Sequence, residues 1–361
     1  MNAPRRALRV LLTGHDGYIG TVLASALRAA GHEAVGLDAG LFSACRFGRQ
    51  PAPPPARWAD IRDVTAADLA GFDAVVHLAN LSNDPLGSLD PALTFEVNAR
   101  ATVRLAEAAR EAGVSRFVFA SSCSLYGAAG EGLVDETAPF NPVTPYGEAK
   151  MLAEKGLRRL ASDEFSPVYL RNATVYGLSP RLRFDLVVNN LTAWAVATGA
   201  VRMRSDGSPW RPLVHVEDVA RSVVAAIEAP REAVHDEAFN VGADAENYRV
   251  RDVARIVGEE VEGCAVTLAS GAGADARSYR AGFSKIAERL GWRPLWTVRE
   301  GVRQVRDALD GLGLGPEVFE GPRYARLAHL QHQMRTGALG PDLRWRGVEN
   351  GESRMEKVEV A

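Results

Sequence analysis

Leu8-Arg9-Val10-Leu11-Leu12-Thr13-Gly14-His15-Asp16-Gly17-Tyr18-Ile19-Gly20 is the stretch on which the reading of the chain turns. Leu8 to Leu12 is a short apolar run that reads as a buried strand, and Thr21 to Ala30 reads as a helix. Between them Gly14, Gly17 and Gly20 are spaced G-x-x-G-x-x-G. Glycine permits the tight turn, and its missing side chain lets the backbone approach a pyrophosphate. The helix that follows offers free N–H groups and its positive dipole end to the phosphates. A glycine triplet alone would serve equally as a structural turn. Its place between a strand and a helix makes it a dinucleotide signature.

Outward from this turn the chain alternates strands and helices. The next strand, Glu33 to Leu37, ends at Asp38, roughly 20 residues beyond the glycines, where an acidic residue can accept both ribose hydroxyls of an adenosine. Asp38 would repel a 2′-phosphate, and no arginine follows it immediately, so NAD is expected rather than NADP. A solvated strand-end aspartate is the alternative. Leu41 to Pro55 is a loop. Asp60-Ile61 then places a carboxylate and an apolar group where they could flank adenine. Asp73 to Leu78 is a further strand, followed by Ala79-Asn80-Leu81-Ser82. Pro91 to Ala112 is a long amphipathic helix. Arg116 to Ala120 opens into Ser121-Ser122-Cys123-Ser124-Leu125-Tyr126-Gly127. Strands that release small and polar residues at their carboxyl ends are where an open α/β sheet holds its ligand.

Tyr146 and Lys150 lie four apart in Pro145-Tyr146-Gly147-Glu148-Ala149-Lys150, so on a helix they share a face. An ammonium beside a phenol favours the phenolate, so the pair is expected to lower the tyrosine pKa and form a neutral-pH proton shuttle. An exposed helix with an ordinary aromatic and lysine is the bland alternative.

Composition narrows the function classes. The 361 residues suffice for one large or two moderate domains, and the net charge of −3 gives no electrostatic case for nucleic acid or an anionic membrane. Cys45, Cys123 and Cys264 are scattered, with neither metal spacing nor a disulfide framework, which suits a cytoplasmic protein. Val10-Leu11-Leu12 is too short for a signal peptide, and no stretch approaches a membrane span. No metal is expected.

Taken together, Thr13-Gly-x-x-Gly-Tyr-Ile-Gly20, Asp38, Asp60-Ile61, His77-Leu-Ala-Asn80, Asn98, Ser121-to-Gly127 and Tyr146-x-x-x-Lys150 resemble the extended short-chain dehydrogenase/reductase family, within it the NAD-dependent nucleotide-sugar epimerases and dehydratases. The resemblance covers about residues 8–310. It implies an α/β fold, a Rossmann-type doubly wound parallel sheet with a smaller mixed α/β C-terminal substrate lobe. Residues 1–178 would bind NAD, with segments about 212–245 returning to them. Residues 179–311 would form mainly the substrate lobe, and 312–361 an extension whose last dozen residues are disordered. Ser122, Tyr146 and Lys150 would be catalytic. NAD would be held by Gly14, Gly17, Tyr18, Ile19, Gly20, Asp38, Asp60, Ile61, Leu78, Ala79, Asn80, Asn98, Ser121, Tyr146 and Lys150.

The resemblance also implies a nucleoside-diphosphate-sugar substrate. Ser82, Ser122, Cys123, Ser124, Asn172, Thr174, Arg183, Asn189, Arg211 and Arg277 are expected to contact it, with Arg280 the alternative to Arg277. Thr174 stands where relatives often carry asparagine. His215, in Arg211-x-x-x-His-Val-x-Asp218, reads as structural and paired to Asp218. Relatives that dehydrate need an Asp-Glu pair after the catalytic hydroxyl, and Cys123-Ser124 cannot supply it. Epimerisation, at C4 most often in this family, is therefore expected, with a ketoreductase or dehydrogenase as runner-up and a non-catalytic dinucleotide sensor as a third reading. A homodimer through the 91–112 and 148–161 helices is also expected. Gly321 to Gly337 reads as an amphipathic docking helix.

Overall fold

β1 (Arg9–Thr13) is buried from Val10 onward and runs straight into the glycine turn and α1 (Tyr18–Ala29), which lays Leu23, Ala24 and Leu27 onto the sheet. The computed structural model describes residues 6–203, 205–269 and 277–347. β2 (Glu33–Asp38), β3 (Ala56–Trp58) and β4 (Ala74–His77) follow. After α2 (Asp84–Gly87), α3 (Pro91–Phe95) and α4 (Thr102–Glu111) run on as one rod through a π-helical stretch, Glu96–Ala101. β5 (Arg116–Ser122), β6 (Ala128–Val134), α5 (Pro145–Arg158) and β7 (Ser166–Asn172) complete the first half.

The second half leaves the sheet and returns. β8 (Thr174–Tyr176), α6 (Val187–Thr198), β9 (Ala200–Arg202) and β10 (Trp210–His215) lead away, and α7 (Val216–Glu228), α8 (Arg231–Val234) and β11 (Glu237–Val241) come back. β12 (Asn247–Arg249), α9 (Val250–Glu260), β13 (Ala265–Thr267), β14 (Ser278–Ala281), α10 (Ser284–Leu290) and α11 (Val298–Leu309) follow, and α12 (Pro316–Phe319) and α13 (Arg326–Arg335) belong to the extension.

Seven parallel strands stand in the order β11-β7-β5-β4-β1-β2-β3. The order reverses between β1 and β4, which opens a crevice at their carboxyl ends. Helices cover both faces. Leu23 and Val219 share one apolar cluster with β1 and β7, and Leu105 and Leu157 share another with the opposite face. This is a doubly wound, Rossmann-type sheet. The smaller lobe is a mixed three-stranded sheet, β12-β10-β8, with α6, α9 and α11.

Local expectations shift in places. β9 pairs in parallel with the distant β13, and Arg204 just after it lies outside the described residues. The return to the large sheet runs through α7 and β11, whereas β10 lies in the small sheet. The last dozen residues, expected to be disordered, also lie outside the described residues.

Candidate functional site

The glycine turn is built for close approach. Gly14 sits at φ +75°, and a Cβ there would meet the Ala79 backbone nitrogen at 2.8 Å. A Cβ on Gly20 would lie 2.1 Å from the Gly14 carbonyl. Backbone therefore packs against backbone where β1 gives way to α1, and the Gly17 N-cap leaves the first N–H groups of α1 without a side-chain acceptor. Asp38 ends β2 on the same wall. Its two oxygens accept the Asp16 and Gly40 N–H groups at 3.1 and 2.8 Å, leaving lone pairs for two hydroxyls. Burial first, then the neighbouring Asp16, push its pKa up.

A second group sits at the carboxyl end of β5 and the start of α5. Thr144 caps α5 by accepting the Gly147 N–H at 3.2 Å, and Pro145 supplies the first helical residue. That cap sets Tyr146 and Lys150 one turn apart toward β5. Ser122 ends β5 and accepts the Ser124 N–H at 3.1 Å, which turns the chain sharply. Its hydroxyl also lies close enough to the Tyr146 phenol to lower the phenol's pKa. Lys150 donates to the Ala120 carbonyl, and its Nζ lies 5.7 Å from the Tyr146 ring centre. One turn further, Glu154 accepts the Ser121 hydroxyl at 2.6 Å and forms a buried two-pronged pair with Arg171. Gly87 was not foreseen. A Cβ there would strike the Tyr146 Cβ at 2.8 Å, so α2 must present glycine to the tyrosine.

The electrostatics correct one expectation. Burial first, then Asp84, push the Tyr146 pKa up, against the Ser122 hydroxyl and the Arg183 charge. Burial also pulls Lys150 down to about 7, with Glu154 opposing. Desolvation thus disfavours the charged form of both the phenol and the ammonium in the chain alone.

Both groups line one cleft of about 510 Å³, within the range of ligand sites. Its walls include Gly14, Gly17, Tyr18, Ile19, Gly20, Asp38, Asp60, Ile61, Leu78, Ala79, Asn80, Ser82, Ser121, Ser122, Ser124, Tyr146, Lys150, Asn172, Thr174, Arg183, Arg211 and Arg277. Asp60 is already engaged by its neighbour Arg62, at 2.9 and 2.6 Å. Arg211 donates to the carbonyls of Trp210 and Arg277, and Arg277 pairs with Asp84. Arg280 instead lies over the Trp210 ring at 4.9 Å, off the cleft wall.

Three expected residues are off that wall. Cys123 is fully buried and donates its thiol to the Arg171 carbonyl at 3.1 Å, because the turn after Ser122 sends it inward. Asn98 clasps Leu81, accepting its N–H at 2.8 Å and donating to its carbonyl at 3.0 Å, so it shapes the loop after β4. Asn189 accepts the Gly177 N–H at 2.9 Å and donates to the Arg183 carbonyl at 3.0 Å. His215 is buried as expected but pairs with Gln304 at 2.9 Å, while Asp218 accepts the Leu295 and Trp296 N–H groups. Residues not foreseen on the wall include Phe42, Asp84, Tyr279, Arg326 and Leu343. Asp84 carried no motif, and Arg326 and Leu343 come from far along the chain.

A dinucleotide fits these residues. The backbone cradle excludes side chains, and Asp38 retains acceptor capacity. On the cleft, Asn80 Oδ1, Ser124 Oγ and Asn172 Oδ1 are buried without a partner among the described residues. Buried polar atoms are normally satisfied, so these imply a ligand or water.

The family model described as the NAD dependent epimerase/dehydratase family matches residues 10–242. A UDP-glucose 4-epimerase from Azospirillum brasilense is 31% identical, covering 83% of this chain and 91% of its own. One from Mycolicibacterium smegmatis is 32% identical, covering 82% and 96%. The solved structure of the Thermus thermophilus UDP-glucose 4-epimerase in complex with NAD superposes with a TM-score of 0.68 at 29% identity, covering 84% of this chain and 99% of that one. The match takes in the glycine turn and the Tyr146–Lys150 pair alike, and on that extent the chain belongs to the NAD-dependent epimerase/dehydratase family.

Proposed function

We propose that the protein is a nucleoside-diphosphate-sugar epimerase acting at C4, with tightly held NAD. The observation that carries the reading is the meeting of Ser122, Tyr146 and Lys150 on the cleft that also holds the glycine turn and Asp38. Relatives aligned over most of their length are named UDP-glucose 4-epimerase, so a UDP-hexose is the substrate to try first.

Bound NAD supplies the acceptor, and then the donor, of a hydride. Everything else falls to the chain. Tyr146 takes the proton of the sugar hydroxyl as its oxygen becomes a carbonyl, and gives it back when the hydroxyl is restored. The Ser122 hydroxyl and the Arg183 charge act against the burial that raises the Tyr146 pKa. Ser122 hydrogen-bonds the same oxygen and keeps it within reach. Lys150, held by the Ala120 carbonyl, orients toward Tyr146 and the cofactor ribose. Asn172, Arg211 and Arg277 hold the nucleotide diphosphate while the keto-sugar turns over between two opposite faces. Cys123 is buried, so the position after Ser122 offers no acid for elimination, which favours epimerisation over dehydration.

The test uses the purified chain with UDP-glucose or UDP-galactose and no added cofactor. Interconversion of the two supports the reading. A stoichiometric absorbance change at 340 nm, with no interconversion, would instead assign a dehydrogenase or ketoreductase. We also propose a cytoplasmic homodimer. Its contact would use the apolar groove of Ala92, Phe95, Ala99 and Leu152 on the 91–112 and 148–161 helices. The three cysteines are free. Among the described residues no helix is long and apolar enough to cross a membrane.

A further inference from the structure

Among the described residues, Arg326 is a buried cation without a counter-charge. It opens α13, is 2% exposed, and lines the cleft shared by Gly17, Tyr18 and Ile19. Its Nη2 donates to the Arg181 carbonyl at 2.7 Å, and its guanidinium lies 4.9 Å from the Phe42 ring centre. Its Nη1 is buried with no hydrogen-bond partner. The nearby carboxylates are taken, Asp16 by Arg181 and Asp185 by Arg183. The Cys45 thiol beside it brings no charge, since burial pushes its pKa up. Burial, with Arg183 adding repulsion, lowers the pKa of Arg326 itself.

A lone charge withdrawn from water is costly, and a protein that keeps one normally supplies it with an anion. The neighbouring N-terminus of α1 has the same need. Its Gly17 cap offers no side-chain acceptor, and Gly17, Tyr18 and Arg326 line the same cleft. Guanidinium and helix N-terminus both select phosphate oxygens. We propose that Arg326, delivered by the C-terminal extension, is a ligand of the cofactor's diphosphate bridge. The proposal rests on the reading that this cleft holds NAD.

The extension is fastened in a way that holds Arg326 there. Leu330, Leu339 and Leu343 pack into one apolar cluster with Leu81 from the loop after β4 and Leu86 from α2. Further along, Trp345 Nε1 donates to the Ala39 carbonyl at 2.7 Å, directly after Asp38. Arg344 pairs with Asp63, and Arg62 donates to the Asp342 carbonyl at 2.9 Å. The strap thus crosses from the loop after β4 to the end of β2, and Arg326 lies at its root. The sugar nucleotide also carries a diphosphate, but the seat of Arg326 on Phe42, four residues past Asp38, favours the cofactor's.

The test uses the full chain stripped of cofactor, as wild type, Arg326→Gln and Arg326→Lys. NAD is titrated calorimetrically, UDP-glucose is titrated into NAD-saturated protein, and melting is followed with and without NAD. R326Q should weaken NAD at least tenfold and R326K less, with UDP-glucose affinity within twofold of wild type. The cofactor-free R326Q should melt no lower than wild type, because it loses an unpaired charge. NAD affinity within twofold of wild type would overturn the proposal. So would weakened UDP-glucose binding with NAD unaffected, or a lower cofactor-free melting temperature, which would mark a structural role. Failure of the wild type itself to bind NAD would instead remove the functional reading beneath it.

Discussion

Tyr146 and Lys150 show how far a short motif reaches. Their spacing on one helix face followed from sequence, and α5 presents both to the cleft. Tyr146→Phe keeps the ring and its burial but removes the reacting oxygen. Turnover of UDP-glucose should fall by about 10²- to 10⁴-fold while NAD affinity by titration stays near wild type. The charge state was not legible, because desolvation depends on what the fold packs around a group. Lys150, lowered to about 7 in the folded chain, binds fewer protons there than in the unfolded chain between roughly pH 7 and 10. Stability of the cofactor-free chain should therefore rise with pH across 7.5–9, by up to about 1.4 kcal/mol per pH unit. Urea midpoints across that window should show the rise in wild type and a flatter profile in Lys150→Met. Cys123, Asn98 and Asn189 are motif residues whose side chains turn away from the cleft, into contacts that no spacing rule describes.

Among the elements, those with a strong local signal were the legible ones. β1, the glycine turn and α1 follow directly from the apolar run and the glycines, and α11 carries a full capping box in Thr297 and Glu300. Gly20→Ala would put a methyl group against the Gly14 carbonyl. It should cost about 1–3 kcal/mol in denaturant unfolding and weaken NAD measurably, since the turn that approaches the phosphates has to move. Thr297→Ala, which loses the cap of a distant helix, should cost about 1 kcal/mol and leave NAD affinity unchanged. β6 and β14 went unread. They pair in parallel across well over a hundred residues of sequence, and neither has periodicity enough to stand without its partner.

For the molecule as a whole, buried charge and an exposed apolar groove make the remaining predictions. Arg171 on β7 and Glu154 on α5 are 2% and 0% exposed in their side chains and tie helix to sheet beneath the cleft. Arg171→Leu leaves Glu154 buried and unpaired and should cost about 3–5 kcal/mol by chemical denaturation. Leu152 is 45% exposed beside the groove of Ala92, Phe95 and Ala99. If two chains meet there, Leu152→Arg should convert a dimer to a monomer in sedimentation velocity without loss of the folded state. Local chemistry alone was enough for the alternation of strands and helices, the glycine turn, the acidic strand end and the Ser122, Tyr146 and Lys150 set, because each acts through its immediate neighbours in the chain. Three-dimensional packing was needed to raise the Tyr146 pKa, to turn Cys123 inward, to set Asp84 against Arg277 and to bring Arg326 onto the cleft of the glycine turn. Desolvation and long-range ion pairing depend on which distant segments share a volume, and a linear pattern carries no record of that.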